Sequence, residues 1–108
     1  MSGIEAIANE RRRQVQGEGW SPDHDDDYVS GELAAASACY ALNAICPADL
    51  AAKQKVEAFI AETWPWPISW WKPSQDPSRD LEKAGALAAA DHDRRARAAG
   101  GSSSPTGA

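Results

Sequence analysis

The chain has 108 residues, 43% of them hydrophobic and 25% charged, which describes one globular domain and excludes a fibre or a chain too polar to fold. Sixteen acidic against eleven basic residues leave a formal charge of −5, which argues against a phosphate-tracking surface and against nucleic acid as a direct partner. No stretch approaches the roughly 18 apolar residues that cross a bilayer, and MSGIEAIANERRRQ has no signal-peptide core, so a cytoplasmic protein without a membrane partner is expected.

In chain order, Ile4, Ile7, Ala8 and Val15 recur at helical spacing and predict an amphipathic helix over about 3–16, with these residues inward and Glu5, Glu10, Arg12 and Arg13 outward. Gly17 and Gly19 close it, and EGWSPDHDDDY follows as an acidic connection anchored by Trp20. Ser30 is the expected N-cap of a second helix over about 31–45, with Leu33, Ala36, Ser37, Tyr40 and Ala44 along its inner stripe. Cys39 and Cys46 lie seven apart in that segment, about two turns or ~10 Å, too far for a disulfide, and are expected as reduced core thiols. Pro47 opens a third helix over about 48–62 carrying Leu50, Val56, Phe59 and Ile60.

WPWPISWWKP follows at 64–73, with four of the chain's five tryptophans and three prolines. Pro65 and Pro67 push the preceding residues toward extended backbone, which predicts an irregular strap with rings on different sides. Since the helices supply mostly alanine and each tryptophan buries roughly 150–250 Å², the strap is expected to complete the core. A ring left open would serve as a binding surface. That set is Trp20, Trp66, Trp70 and Trp71, with Lys72 placed to stack on an indole. Asp76 or Ser78 caps a last helix with Leu81, Ala84, Gly85, Leu87 and Ala88 inside, ending near residue 99 at Gly100 and Gly101. The class is all-α: a compact bundle of about four helices with an irregular Trp/Pro strap between the third and last. Residues 1–99 form one domain, and the Gly/Ser tail 100–108 is expected to be disordered.

The ordered motifs ERRRQ at 10–14, EGW at 18–20, HDD at 24–26, GELAAASACYAL at 31–42, WPW at 64–66, WWKP at 70–73 and RDLEKAGAL at 79–87 resemble a family of small proteins encoded by tailed bacteriophages and prophages. The resemblance covers about residues 4–95 and implies an accessory protein working in an infected or lysogenic bacterial host. Where relatives continue into an AEIER-like segment, this chain has Ala90-Asp91-His92-Asp93-Arg94, so His92 replaces an apolar residue and the last helix is expected to lose a core position.

Two chemistries compete. Glu10, His24, Asp25 and Asp26 offer oxygens and an imidazole of the kind that hold Mg²⁺ or Mn²⁺, although acids before a helix N-terminus are also stabilised there by the helix dipole. Glu32, Asp80 and Asp91 extend the set to four helix-borne carboxylates around a triphosphate, without the i, i+3 or i+4 acid pairs that all-α nucleotide pyrophosphohydrolases use. Arg11 to Arg13 and Arg94, Arg95 and Arg97 lie near helix ends, as salt-bridge partners or as a phosphate-binding edge. With no nucleophile arrangement, Gly-rich phosphate loop or zinc quartet, the first reading is a non-enzymatic binding protein that engages a host or phage macromolecule, a host-defence component among the candidates. A protein partner leads, and homodimerisation through alanine-rich faces is a further expectation. The alternative is a metal-dependent nucleotide-binding or nucleotide-hydrolysing protein.

Overall fold

The computed structural model describes residues 1–100 and contains helix and irregular backbone, with no strand among them. The expected tail lies, but for Gly100, outside the described residues. Five helices follow in order: α1 (Gly3–Gly17), the short α2 (Pro22–Asp25), α3 (Glu32–Asn43), α4 (Leu50–Thr63) and α5 (Pro77–Ala98), with a 3-10 turn at Ile68–Trp70 before the last. The expected all-α bundle is present, with α2 added inside the stretch read as a loop. No helix among the described residues is long and apolar enough to cross a membrane.

Local chemistry sets the ends. Ser2 and Glu5 form a capping box at α1, Ser21 accepts from the His24 amide to start α2, and Asp49 accepts from the Ala52 amide to start α4 two residues later than Pro47 suggests. Asp76 caps α5 with Pro77 in its first turn, as expected. Ser30 does not cap α3. Gly31 stands there with φ 86°, a left-handed backbone that glycine adopts without penalty.

The core is the seam between α3 and α5, where Leu33, Ala36 and Tyr40 meet Ala84, Leu87 and Ala90. Small side chains let the axes approach closely enough for the Ser37 hydroxyl to donate to the Ala84 carbonyl at 2.7 Å. Ala36, Ala84 and Ala90 are used within the chain, while Ala34, Ala41 and Ala88 stay exposed. Close approach recurs between α1 and α5, where a Cβ on Gly85 would stand 2.5 Å from the Ile7 Cδ1. α4 packs on α3, and Cys39 there donates its thiol to the Ile60 carbonyl at 3.7 Å.

Four expectations need correction. The inner face of α1 is Glu10 and Gln14, while Ile4 is 83% exposed. Leu50 and Phe59 of α4 and Leu81 and Ala88 of α5 face outward, leaving Ile60, Ala84 and Leu87 as the buried members of those stripes. Cys46 lies past the end of α3 with φ 52° and is exposed, so only Cys39 is a core thiol. His92 also points to solvent while Ala90, Asp91 and Arg94 are buried, so no core position is lost at His92 and α5 continues to Ala98.

Candidate functional site

The strap crosses the bundle as the sequence predicts, but it does not seal it. It leaves α4 at Trp64, whose indole N–H donates to the Pro67 carbonyl at 3.2 Å, and turns through Ile68–Trp70. The Lys72 amide donates to the Tyr40 hydroxyl at 3.2 Å, and the Lys83 ammonium donates to the Lys72 carbonyl at 2.7 Å. These bonds fasten the strap to α3 and α5.

Opposite it, the 18–31 connection folds back over the end of α1. The Trp20 amide donates to the Gln14 carbonyl at 3.0 Å, and Arg11 reaches across to the buried Asp25 carboxylate at 3.0 Å. From α5, Arg97 clasps Asp26 at 2.7 Å. The connection thereby presents Trp20, His24 and Tyr28 to the strap. The rings form an unbroken series: Trp20 stacks on His24 at 6.1 Å, His24 meets Tyr28 at 5.2 Å, and Tyr28 meets Trp66 at 5.1 Å. Trp66 touches Trp64 at 5.4 Å, Trp64 touches Trp71 at 4.9 Å, and Trp71 lies 4.7 Å from Tyr40.

Between strap, connection and helices lies a cavity of about 500 Å³, within the range of small-molecule sites. Leu33, Tyr40 and Leu87 form its floor, and Trp20, His24, Tyr28, Trp64, Trp66 and Trp70 its aromatic walls. The remaining edge is charged. Arg13, Lys72, Arg79 and Lys83 line it against only Glu10 and Glu18, so a chain of charge −5 places an excess of positive charge here.

Glu10 organises that edge. Its buried carboxylate holds Arg13 at 2.8 Å and Arg79 at 2.6 Å and accepts from the Gln14 amide nitrogen at 3.2 Å. Burial pushes its pKa up, but the hydrogen bonds and charges of the two guanidiniums outweigh this and hold it below the ordinary carboxylate value. The Lys83 pKa is also lowered, first by burial and then by the neighbouring Arg79 charge. Burial, reinforced by Asp25, raises Tyr28, and burial raises Tyr40. Lys72 and Lys83 take part in no ion pair among the described residues.

Two polar atoms beside this cavity have no partner among the described residues: the Gln14 Oε1 and the Trp66 Nε1. Gln14 is only 2% exposed, and its amide nitrogen is already committed to Glu10. An unpaired buried acceptor and an unpaired indole donor each carry a desolvation cost of about 1–3 kcal/mol.

Of the expected binding residues, Trp20, Trp66, Trp70 and Lys72 line the cavity, with Trp70 51% exposed at its mouth. Trp71 packs behind them on Tyr40 and Trp64 and is structural. The expected metal set is not assembled. Glu10 belongs to Arg13 and Arg79, Asp25 to Arg11 and His24, and Asp26 to Arg97. Glu32 accepts from the Ser30 amide, Asp80 from Asn43 and the Ser74 amide, and Asp91 from Arg94 and Arg95. Among the described residues no group of three or more His, Cys, Asp or Glu is arranged to hold a metal.

The sequence reading offers Arg13 as a salt-bridge partner or part of a phosphate-binding edge but misses Gln14, Tyr28, Arg79 and Lys83. One signal was present, since Arg79, Lys83 and Leu87 recur every fourth residue and share a face of α5. Nothing local marks Gln14, whose environment depends on α5 and the strap. Comparison with protein-family models, curated proteins and solved structures finds no match to this chain.

Proposed function

We propose that this protein acts by binding, and that its working feature is the cavity under the strap, which takes a small ligand with a planar face and a negative charge. The observation that carries this reading is the pairing of half-open indoles with an uncompensated cationic edge in an acidic chain. Rings sealed in a core would support structure alone; rings that line a cavity of about 500 Å³ support stacking. The dispersal of Glu10, His24, Asp25 and Asp26 among separate ion pairs gives metal-dependent hydrolysis no assembled donor set. The phage resemblance supports an accessory protein of an infected or lysogenic bacterium as the setting. Titration with anilinonaphthalene sulfonate, a planar anion, should give saturable one-to-one binding that Trp66→Ala weakens at least ~10-fold, as loss of a stacking partner does. A featureless titration, or one indifferent to Trp66, would sink the reading.

A second reading has its own observation. Trp70 and Ile68, 51% and 71% exposed, project from the turn at the cavity mouth, a surface suited to a macromolecular partner such as a host-defence protein. Paired Trp70→Ser and Ile68→Ser substitutions should abolish association with such a partner while leaving the planar anion bound. Equal loss of both would assign the turn to the cavity alone.

A further inference from the structure

Resting on the cavity reading, the charge and the uncommitted donors of the cationic edge narrow the ligand class. We infer that the planar ligand is a dianion, a phosphate monoester whose phosphoryl group sits at the edge formed by Arg13, Lys72 and Lys83.

The charges of the lining set the first requirement. The side chains of Arg13, Lys72, Arg79 and Lys83 face the carboxylates of Glu10 and Glu18, which with His24 neutral leaves a surplus of two positive charges. A carboxylate or sulfonate monoanion balances one of them. A phosphate monoester, with a charge of about −1.5 to −2 at pH 7, balances nearly both. The surplus is local, since the chain as a whole carries −5, so a small dianion fits this edge better than a polyanion.

The uncommitted donors set the second. Arg13 gives its Nε and Nη2 to Glu10 at 2.8 Å, and its Nη1 makes no hydrogen bond among the described residues. Lys83 commits one of its three N–H groups to the Lys72 carbonyl, and the Lys72 ammonium makes no hydrogen bond among the described residues. A ligand can reach these groups, because Arg13 and Lys72 are exposed and Lys83 is half-buried. They approach from α1, the strap and α5, and the three terminal oxygens of a phosphate monoester accept from several directions at once. Burial and then the Arg79 charge oppose the Lys83 ammonium, and a dianion at this edge offsets that repulsion.

Calorimetric titration of the full chain with 1-naphthyl phosphate, its monoanionic methyl ester and 1-naphthalenesulfonate tests this, since these probes share a ring and differ in charge. Anilinonaphthalene sulfonate reads the cavity itself. The phosphate should bind roughly 10- to 100-fold more tightly than the sulfonate, the gain expected for hydrogen bonds to a further charge, and the methyl ester should match the sulfonate. Between about pH 7.5 and about pH 5 the ratio of phosphate to sulfonate affinity should fall roughly 5- to 10-fold, because the phosphate takes up its second proton near pH 6 while the sulfonate keeps one charge. The double variant K72Q/K83Q should bring the phosphate to the affinity of the sulfonate, with unchanged thermal melting showing that the fold survives; if it melts early, the pH series on the unaltered chain decides. A phosphate that binds no tighter than the sulfonate, a methyl ester that equals the phosphate, or a ratio indifferent to pH overturns the dianion assignment, and the cavity reading stands as long as anilinonaphthalene sulfonate binds. Silence from every probe removes both. A phosphate preference that survives K72Q/K83Q in a folded protein overturns the assignment to this edge.

Discussion

Two parts of this small domain use their residues in opposite ways. Along the seam of α3 and α5, Ala36, Ala84, Ala86 and Ala90 are buried with Leu33 and Leu87, and a serine hydroxyl reaches a carbonyl of the facing helix. Across the cavity, the 18–31 connection and the strap bring six rings into a series that ends on Tyr40 of α3, and α1 sets a buried carboxylate between Arg13 and Arg79 of α5, beside two polar atoms without partners among the described residues. Small residues fill the first region to close packing. The large residues of the second do not close it. In so short a chain, aromatic area left half-open and polar atoms left unpaired oppose folding, so their concentration on one side makes that side the candidate site.

The contrast can be broken from either end. Leu87→Ala, where the seam forms the cavity floor, should lower the unfolding free energy by about 2–5 kcal/mol, read from the shift in urea midpoint, because the close-packed side of the seam cannot collapse around the lost volume. A smaller loss, with the cavity merely enlarged, would mean that the seam is as loosely packed as the site. Glu10→Gln should cost about 1–3 kcal/mol in the same measurement, kept moderate because both arginine partners reach solvent. It should also tighten planar-anion binding, since it removes one of two negative charges from the lining. Loss of stability together with loss of anion affinity would assign Glu10 to ligand contact instead.

Titration sharpens the same comparison. Glu10 and Asp91 both have carboxyls held below their ordinary values of 4.5 and 3.8, burial opposing and their arginine partners prevailing. Their contribution to stability is therefore complete above those values and is lost as pH falls through the lower folded-state values. Urea midpoints measured down an acid series should drop, and the Glu10→Gln protein should show a shallower drop. Arg97→Ala, which releases the partly exposed clasp on Asp26, should cost no more than about 1 kcal/mol. It should nevertheless speed hydrogen exchange in α2 selectively, while the seam amides keep their protection.

Much of the bundle was legible in the sequence. The α3 stripe of Leu33, Ala36 and Tyr40, the Asp76-Pro77 start of α5, and the irregular course of the strap all follow from rules acting over four residues or fewer. The excess of tryptophan over an alanine floor also pointed to the right segment, and three of the four strap and loop indoles singled out for binding line the cavity. Which α1 face turns inward was not legible. Ile4 and Val15 look like core by local pattern, yet Glu10 and Gln14 are buried because Arg79, 69 positions away, supplies the compensating charge. The acidic run at 23–27 likewise reads as a metal shell until Arg11 and Arg97 arrive from two other helices and divide it. Periodicity, caps and proline are local quantities, so the sequence by itself determined the helices and the strap. Charge compensation and the space left between rings depend on elements brought together from distant positions, and only the tertiary structure decided those.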